Sequence, residues 1–158
     1  MVQLYLKIDR LKYAEKELAE MQKTEDENTL TQLASAWISL YQATPDKAKD
    51  AFYIYNDLVE KFGPTPVTLT GLACCNLESN NSEDGVTNLK EALEKDPKFP
   101  EALINLSNCY AHQGKVTLTN RLLSQVKANN PGHSFLRLLQ QFDSDFDTHA
   151  SKYAPEAN

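Results

Sequence analysis

Between Pro66 and Pro131 the chain nearly repeats itself, EALEKDPKFPEAL (91–103) being answered by SQVKANNPGHSFL (124–136). Pro97 and Pro131 stand 34 residues apart. The same step of 34 superposes Leu69 on Leu103, Leu72 on Leu106, Ala73 on Ser107, Leu89 on Leu123 and Ala92 on Val126. Small and apolar residues at fixed offsets, with a proline near the end of each unit, describe a helix–turn–helix pair that buries its apolar face by stacking on its like.

A period of 34 is that of tetratricopeptide (TPR) repeats. The expected fold is all-α: a right-handed solenoid of TPR-like helix pairs with a C-terminal capping helix. In the first clean unit, Leu69, Leu72, Ala73 and Asn76 mark helix A, and Gly85, Leu89, Ala92 and Leu93 mark helix B, with Ser82 as its N-cap. In the second, Pro100 opens helix A with Leu103, Leu106, Ser107 and Tyr110, Gln113-Gly114-Lys115 turns the chain, and Leu118, Leu122, Leu123 and Val126 mark helix B. Gly85 and Thr119 are small enough to let the two helices approach closely.

Working back towards the N-terminus, residues 2–23 read as a helical pair with a turn near Asp9-Arg10. Leu4, Tyr5 and Ile8 line one face; Ala14, Leu18 and Met21 line the other at helical spacing. Because Met1 stands where half a helix would precede it, the chain is expected to start inside a longer array. Its first apolar face would then meet a preceding helix. Thr24 and Glu27 have the spacing of a capping box. The helix that follows carries Leu30, Leu33, Ala34, Trp37 and Leu40. Thr44 and Pro45, as N-cap and first helical residue, start a partner bearing Ala51, Tyr55 and Leu58. Ala34 as the small residue of the first helix leaves this unit about five residues over the period, which puts the excess in its first helix or its turn. The expected organisation is one solenoid over 1–158. Its helix pairs fall at about 2–23, 28–62, 66–96 and 100–130, and its capping helix at about 133–152, with an apolar stripe of Phe135, Leu138, Leu139, Phe142 and Phe146. The polar residues on its other face, Arg137, Gln140, Gln141 and Asp145, are what a terminal cap requires.

Charge and motifs narrow the function classes. A net charge of −6 and a pI near 5.1 argue against a nucleic-acid partner, and no polybasic cluster exists to bind anionic lipid directly. No apolar run approaches the roughly 20 residues that span a bilayer. Cys74, Cys75 and Cys109 are odd in number and lie on apolar helical faces, so they read as reduced, buried thiols of a cytosolic protein. Asp143-Ser144-Asp145-Phe146-Asp147 imitates the start of a calcium loop, but Thr148 and Ala154 stand where glycine and glutamate are needed. His112, His133 and His149 have no partner at metal-ligand spacing, and neither a phosphate loop nor a nucleophile elbow occurs. No enzyme, cofactor or metal is expected.

What remains is the groove that a solenoid presents to a partner. In the clean units the helix A side chains free to line it are Thr70, Cys74 and Leu77, then Ile104, Asn108 and Ala111. A clamp for a terminal carboxylate needs a cation, since a desolvated carboxylate without one is costly. These six positions supply none, which favours a long-lived protein–protein contact. Two bland or rival readings stand beside it: burial of the same residues under a neighbouring helix, and a cytosolic TPR adaptor that holds short peptide motifs.

The whole chain resembles the C-terminal half of the coatomer epsilon subunits. The resemblance is carried by LKIDRLKYAEKELAEMQ (6–22), TLTQLASAW (29–37), DAFYIYNDLVEKF (50–62), EALEKDPKFPEALINL (91–106) and the tail FDSDFDTHASKYAP (142–155). It implies a TPR-like solenoid that wraps part of the alpha subunit's C-terminal region, with the other coatomer subunits as indirect partners. It further implies a non-enzymatic scaffold in the COPI coat, cytoplasmic and peripheral on Golgi and vesicle membranes, supporting Golgi-to-endoplasmic-reticulum retrograde and intra-Golgi transport. Membrane recruitment would be indirect, through the coat.

Overall fold

Prolines decide where three of the helices begin. Lacking an N–H, a proline costs nothing at the first helical position, where that donor would be orphaned anyway. In the computed structural model, which describes residues 1–153, Pro45, Pro66 and Pro100 each stand at a helix start. The described residues form nine helices and no strand: α1 (Val2–Lys7), α2 (Leu11–Glu25), α3 (Thr29–Gln42), α4 (Pro45–Phe62), α5 (Pro66–Glu78), α6 (Ser82–Lys95), α7 (Pro100–His112), α8 (Val116–Asn129) and α9 (Ser134–Ala150). Ala154 and Pro155, quoted above, lie outside them.

The helices are all-α pairs stacked as a TPR-like solenoid. From α1 to α8 each packs mainly on its neighbours in sequence; α1 also meets α3, and α5 meets α3 and α7. Helix A of successive units starts at Pro66, Pro100 and Ser134, two steps of 34 residues. The turns inside the pairs place Asp9 (φ 54°), Ala43 (φ 49°), Asn80 (φ 58°) and Gly114 (φ 70°) in the left-handed region. Gly114 adopts it freely; an L side chain such as Ala43 does so at a cost of about 1 kcal/mol.

Several local expectations need correcting. Thr24 does not cap α3, because α2 runs through it and its hydroxyl donates back to the Glu20 carbonyl at 3.1 Å. Asn28 is the cap, its side chain accepting from the Leu30 N–H at 2.9 Å. Ser82 is the first residue of α6 rather than its cap; Asn81 holds that place and donates to Asp84. In α1, Val2 is the residue that goes inside, whereas Leu4 and Ile8 are exposed. Helix A of the irregular unit starts at Thr29, 37 residues before Pro66, so the excess is three residues. It sits in helix B, because α4 has 18 residues where α6 and α8 have 14. The Thr44 cap holds as read; Thr65, not singled out from sequence, closes a reciprocal box with Thr68.

The core is a row of clusters, one per interface. Val2, Ala14, Ala34 and Ile38 join the first three helices. Ala36, Ala51, Tyr55, Leu58, Leu72 and Cys75 join α3 and α4 to α5. Leu69, Ala73, Leu89, Ala92, Ala102, Leu106 and Cys109 continue it through α7. Leu103, Ile104 and Val126, with Phe135 and Leu136 against them, reach the start of α9. Beyond that point α9 buries no residue. Its stripe is therefore not the packing face expected of it: Leu138, Phe142 and Phe146 are exposed.

Two glycines show how closely the helices approach. A β-carbon at Gly71 would lie 2.3 Å from the Tyr55 ring; one at Gly85 would lie 2.9 Å from the branched end of Leu77. Alanine gains about 1 kcal/mol over glycine in a helix, and overpacking a rigid core costs about 1–3 kcal/mol or more. The buried Tyr55 ring cannot yield, whereas Leu77, half-buried, can turn aside. Gly71→Ala is expected to destabilise the fold by about 2 kcal/mol, and Gly85→Ala to stay within about 1 kcal/mol of the parent. Urea unfolding of both variants checks this; equal losses would contradict it.

Candidate functional site: a hollow between α5 and α7

Between the C-terminal halves of α5 and α7 lies a hollow of about 530 Å³. Cys74, Leu77 and Cys109 give it an apolar lining, and Glu78, Asn105, Asn108, His112 and Gln113 surround them. The 34-residue step explains the set. Cys75 and Cys109 share a register, as do Cys74 and Asn108, and Glu78 and His112. At the last two of these positions the neighbouring A helices offer unlike residues.

Of the six residues singled out from sequence, the hollow brings together Cys74, Leu77 and Asn108. Thr70 is buried, and its Oγ1 has no hydrogen-bond partner among the described residues. Ile104 is buried in the cluster that also takes Phe135 and Leu136 of α9. Ala111 is exposed and does not line the hollow. Thr70 and Ile104 thus sit under neighbouring helices of the same chain. Asn105, Cys109 and His112 also line the hollow and were not singled out from sequence; of these Cys109 is buried in the core cluster as well.

The chemistry of the hollow is that of recognition. Asn105 Nδ2 donates to Cys74 Sγ at 3.5 Å, a weak bond that leaves its carbonyl oxygen free. Among the described residues Asn108 has no side-chain hydrogen bond and is exposed. Two primary amides three residues apart on one helix can therefore bond to a partner's main chain. No lysine or arginine lines the hollow, and Glu78 is its one carboxylate. A carboxylate ligand would gain no ion pair there.

The thiols are poor nucleophiles. Burial, with the Glu78 carboxylate beside it, pushes Cys74 up to about 11, and burial pushes Cys75 up to about 12, from a usual value of 9.0. All three cysteines are free. Among the described residues no group of three or more His, Cys, Asp or Glu side chains could hold a metal ion. No helix there is long and apolar enough to cross a membrane.

These raised thiols make stability depend on alkaline pH. A thiol whose folded pKa exceeds its unfolded one contributes stability that is complete below the unfolded value and lost as pH rises through the folded value. Stability is expected to hold up to about pH 9 and to fall between pH 9 and 12, by at least about 1 kcal/mol at pH 11. Urea midpoints across that range check it. Cys75→Ala is expected to flatten the fall, and an unchanged slope in that variant would contradict the assignment.

Comparison with known proteins accords with this architecture. The family model described as "Coatomer epsilon subunit" matches residues 1–154. Coatomer subunit epsilon-2 of Arabidopsis thaliana is 40% identical over 146 residues, which cover 92% of this chain and 49% of that protein. Coatomer subunit epsilon of Dictyostelium discoideum is 33% identical over 155 residues, 97% of this chain and 51% of its own length. That of Caenorhabditis elegans is 28% identical over 149 residues, 94% of this chain and 51% of its own. The chain thus spans about half the length of the curated relatives it matches, with the irregular unit, the clean repeats and α9 all inside the matched region. It belongs to the coatomer epsilon subunit family.

Proposed function

We propose that this chain is a non-catalytic scaffold segment of the COPI vesicle coat. It binds the C-terminal region of the coatomer alpha subunit through its A-helix face and meets the other subunits indirectly. In that role it supports Golgi-to-endoplasmic-reticulum retrograde and intra-Golgi transport from the cytoplasmic side, peripheral to the membrane. The observation that carries the reading is the family match along 1–154. The site supports it in kind: the hollow between α5 and α7 offers an apolar floor, two side-chain amides and no cation. Such a lining suits a long protein segment held by apolar contact and main-chain hydrogen bonds. It does not suit a peptide gripped by its terminal carboxylate. The raised thiols suit a structural part as well, since they stay protonated at neutral pH.

Co-expression of this chain with the alpha subunit's C-terminal region is expected to give a stable 1:1 complex by size exclusion with light scattering. Asn108→Arg, at an exposed position, is expected to weaken it at least tenfold while leaving the helical circular dichroism unchanged. Separate elution of the two folded chains would overturn the proposal. Binding of isolated short peptides, lost in Asn108→Ala, with no complex with the alpha segment would replace it with the peptide adaptor.

A further inference from the structure

The 34-residue step makes α9 the A helix of a further unit, because Ser134 follows Pro100 by the same interval as Pro100 follows Pro66. Its residues can therefore be compared position by position with α5 and α7. Leu69 and Ala73, and then Leu103 and Ser107, occupy positions that pack within their own pair. The contacts include the Ala73 carbonyl 3.3 Å from where a Gly85 β-carbon would stand, and Thr119 Oγ1 donating to the Ser107 carbonyl at 3.4 Å. At these offsets α9 carries Arg137 and Gln141. It asks for no helix B.

The neighbouring face is different. Thr70 on α5 is buried, and Cys74, one turn on, receives Asn105 of α7. Ile104 on α7 is buried in the cluster to which Phe135 and Leu136 of α9 contribute. The first of these positions, Thr70 and Ile104, is buried; the next two, Cys74 with Asn108 and Glu78 with His112, border the α5–α7 hollow. The same offsets on α9 hold Leu138, Phe142 and Phe146, at 48%, 59% and 72% exposure. Spaced four residues apart, they form a ridge about 12 Å long, of the kind that enters the groove of another helix. On α9 the face in register with the intra-pair positions is polar, and the neighbouring face is exposed and apolar.

Charge says what fits there. Between Arg137 and Lys152 the helix carries Asp143, Asp145 and Asp147 and no lysine or arginine. A second copy docking α9 on α9 would bring two such sets of carboxylates together. Anionic lipid is repelled for the same reason. We infer that the Leu138–Phe142–Phe146 face is a second docking surface, separate from the α5–α7 hollow, which takes a basic amphipathic helix of another protein and stacks it as the next A helix. The apolar ridge contributes the contact area, and the aspartates select lysine and arginine on the flanks of the incoming helix.

The probe is a 21-residue amphipathic peptide of leucine and lysine, (LKKLLKL)3, with its glutamate-for-lysine counterpart as control. Titration calorimetry is expected to show binding of the lysine peptide and none of the glutamate peptide. Phe142→Ser/Phe146→Ser, at exposed positions, is expected to weaken binding at least tenfold with circular dichroism unchanged. Asp143→Asn/Asp145→Asn/Asp147→Asn is expected to weaken it and to flatten its dependence on salt. Equal affinity of the phenylalanine variant for the lysine peptide would overturn the inference, as would tight binding of the glutamate peptide. Two further results would assign the face to another occupant. One is self-association in sedimentation equilibrium that the phenylalanine variant abolishes; the other is flotation with phosphatidylserine vesicles that it abolishes. Because the readout uses no alpha-subunit segment, its failure leaves the hollow's role untouched.

Discussion

The Tyr55 ring occupies the space that a β-carbon at position 71 would need, so α5 can seat against α4 only through a glycine. This contact is where the irregular unit, with its 18-residue helix B, is joined to units that keep the 34-residue step. Tyr55 is buried among Ala36, Ala51, Leu58, Leu72 and Cys75, and burial raises its phenol well above the ordinary range. Were α5 held further off, Leu72 and Cys75 would lose that packing. The orientation of α5, and so of the hollow it shares with α7, rests on one missing side chain.

From that seam outward, polarity is distributed by layer. Surfaces between pairs are filled by small and aliphatic residues, and the inner surface of the A helices carries amides and neutral thiols. Carboxylates collect on rims and at the two open edges. Exposed ion pairs such as Lys23–Glu20 and Lys47–Asp50 contribute little to stability. Their consequence lies in association: an acidic exterior discourages nucleic acid, anionic lipid and further copies of the chain, and leaves apolar, uncharged or basic protein surfaces as the compatible contacts.

The features legible in the sequence were those with a local physical cause. Proline's missing donor marked the starts at Pro45, Pro66 and Pro100, and the 34-residue step placed the pairs. The step worked because each pair packs on the next through the same offsets. What failed depended on whether a neighbouring helix happens to continue or to stop. Thr24 and Glu27 have the spacing of a cap, but α2 runs on through Thr24, and Asn28 takes the role. Thr70 and Ile104 have groove spacing, yet both are buried, while Asn105 and His112 border the hollow between α5 and α7. The stripe on α9 was visible as a pattern, but periodicity states only that a face is apolar. What covers that face is decided in three dimensions.

The layout of contacts has a consequence for the way the molecule comes apart. Since α1 to α8 pack mainly on their sequence neighbours, the fold has few contacts between distant parts of the chain. Such topologies fold quickly and open in steps from their ends. α9 buries nothing beyond its first turns, so its amide hydrogens are held by little more than its own helical bonds. Amide protection is expected to be high around the Tyr55–Gly71 seam and low along α9. The face proposed to take another helix thus lies on a segment with little intrinsic reason to remain helical.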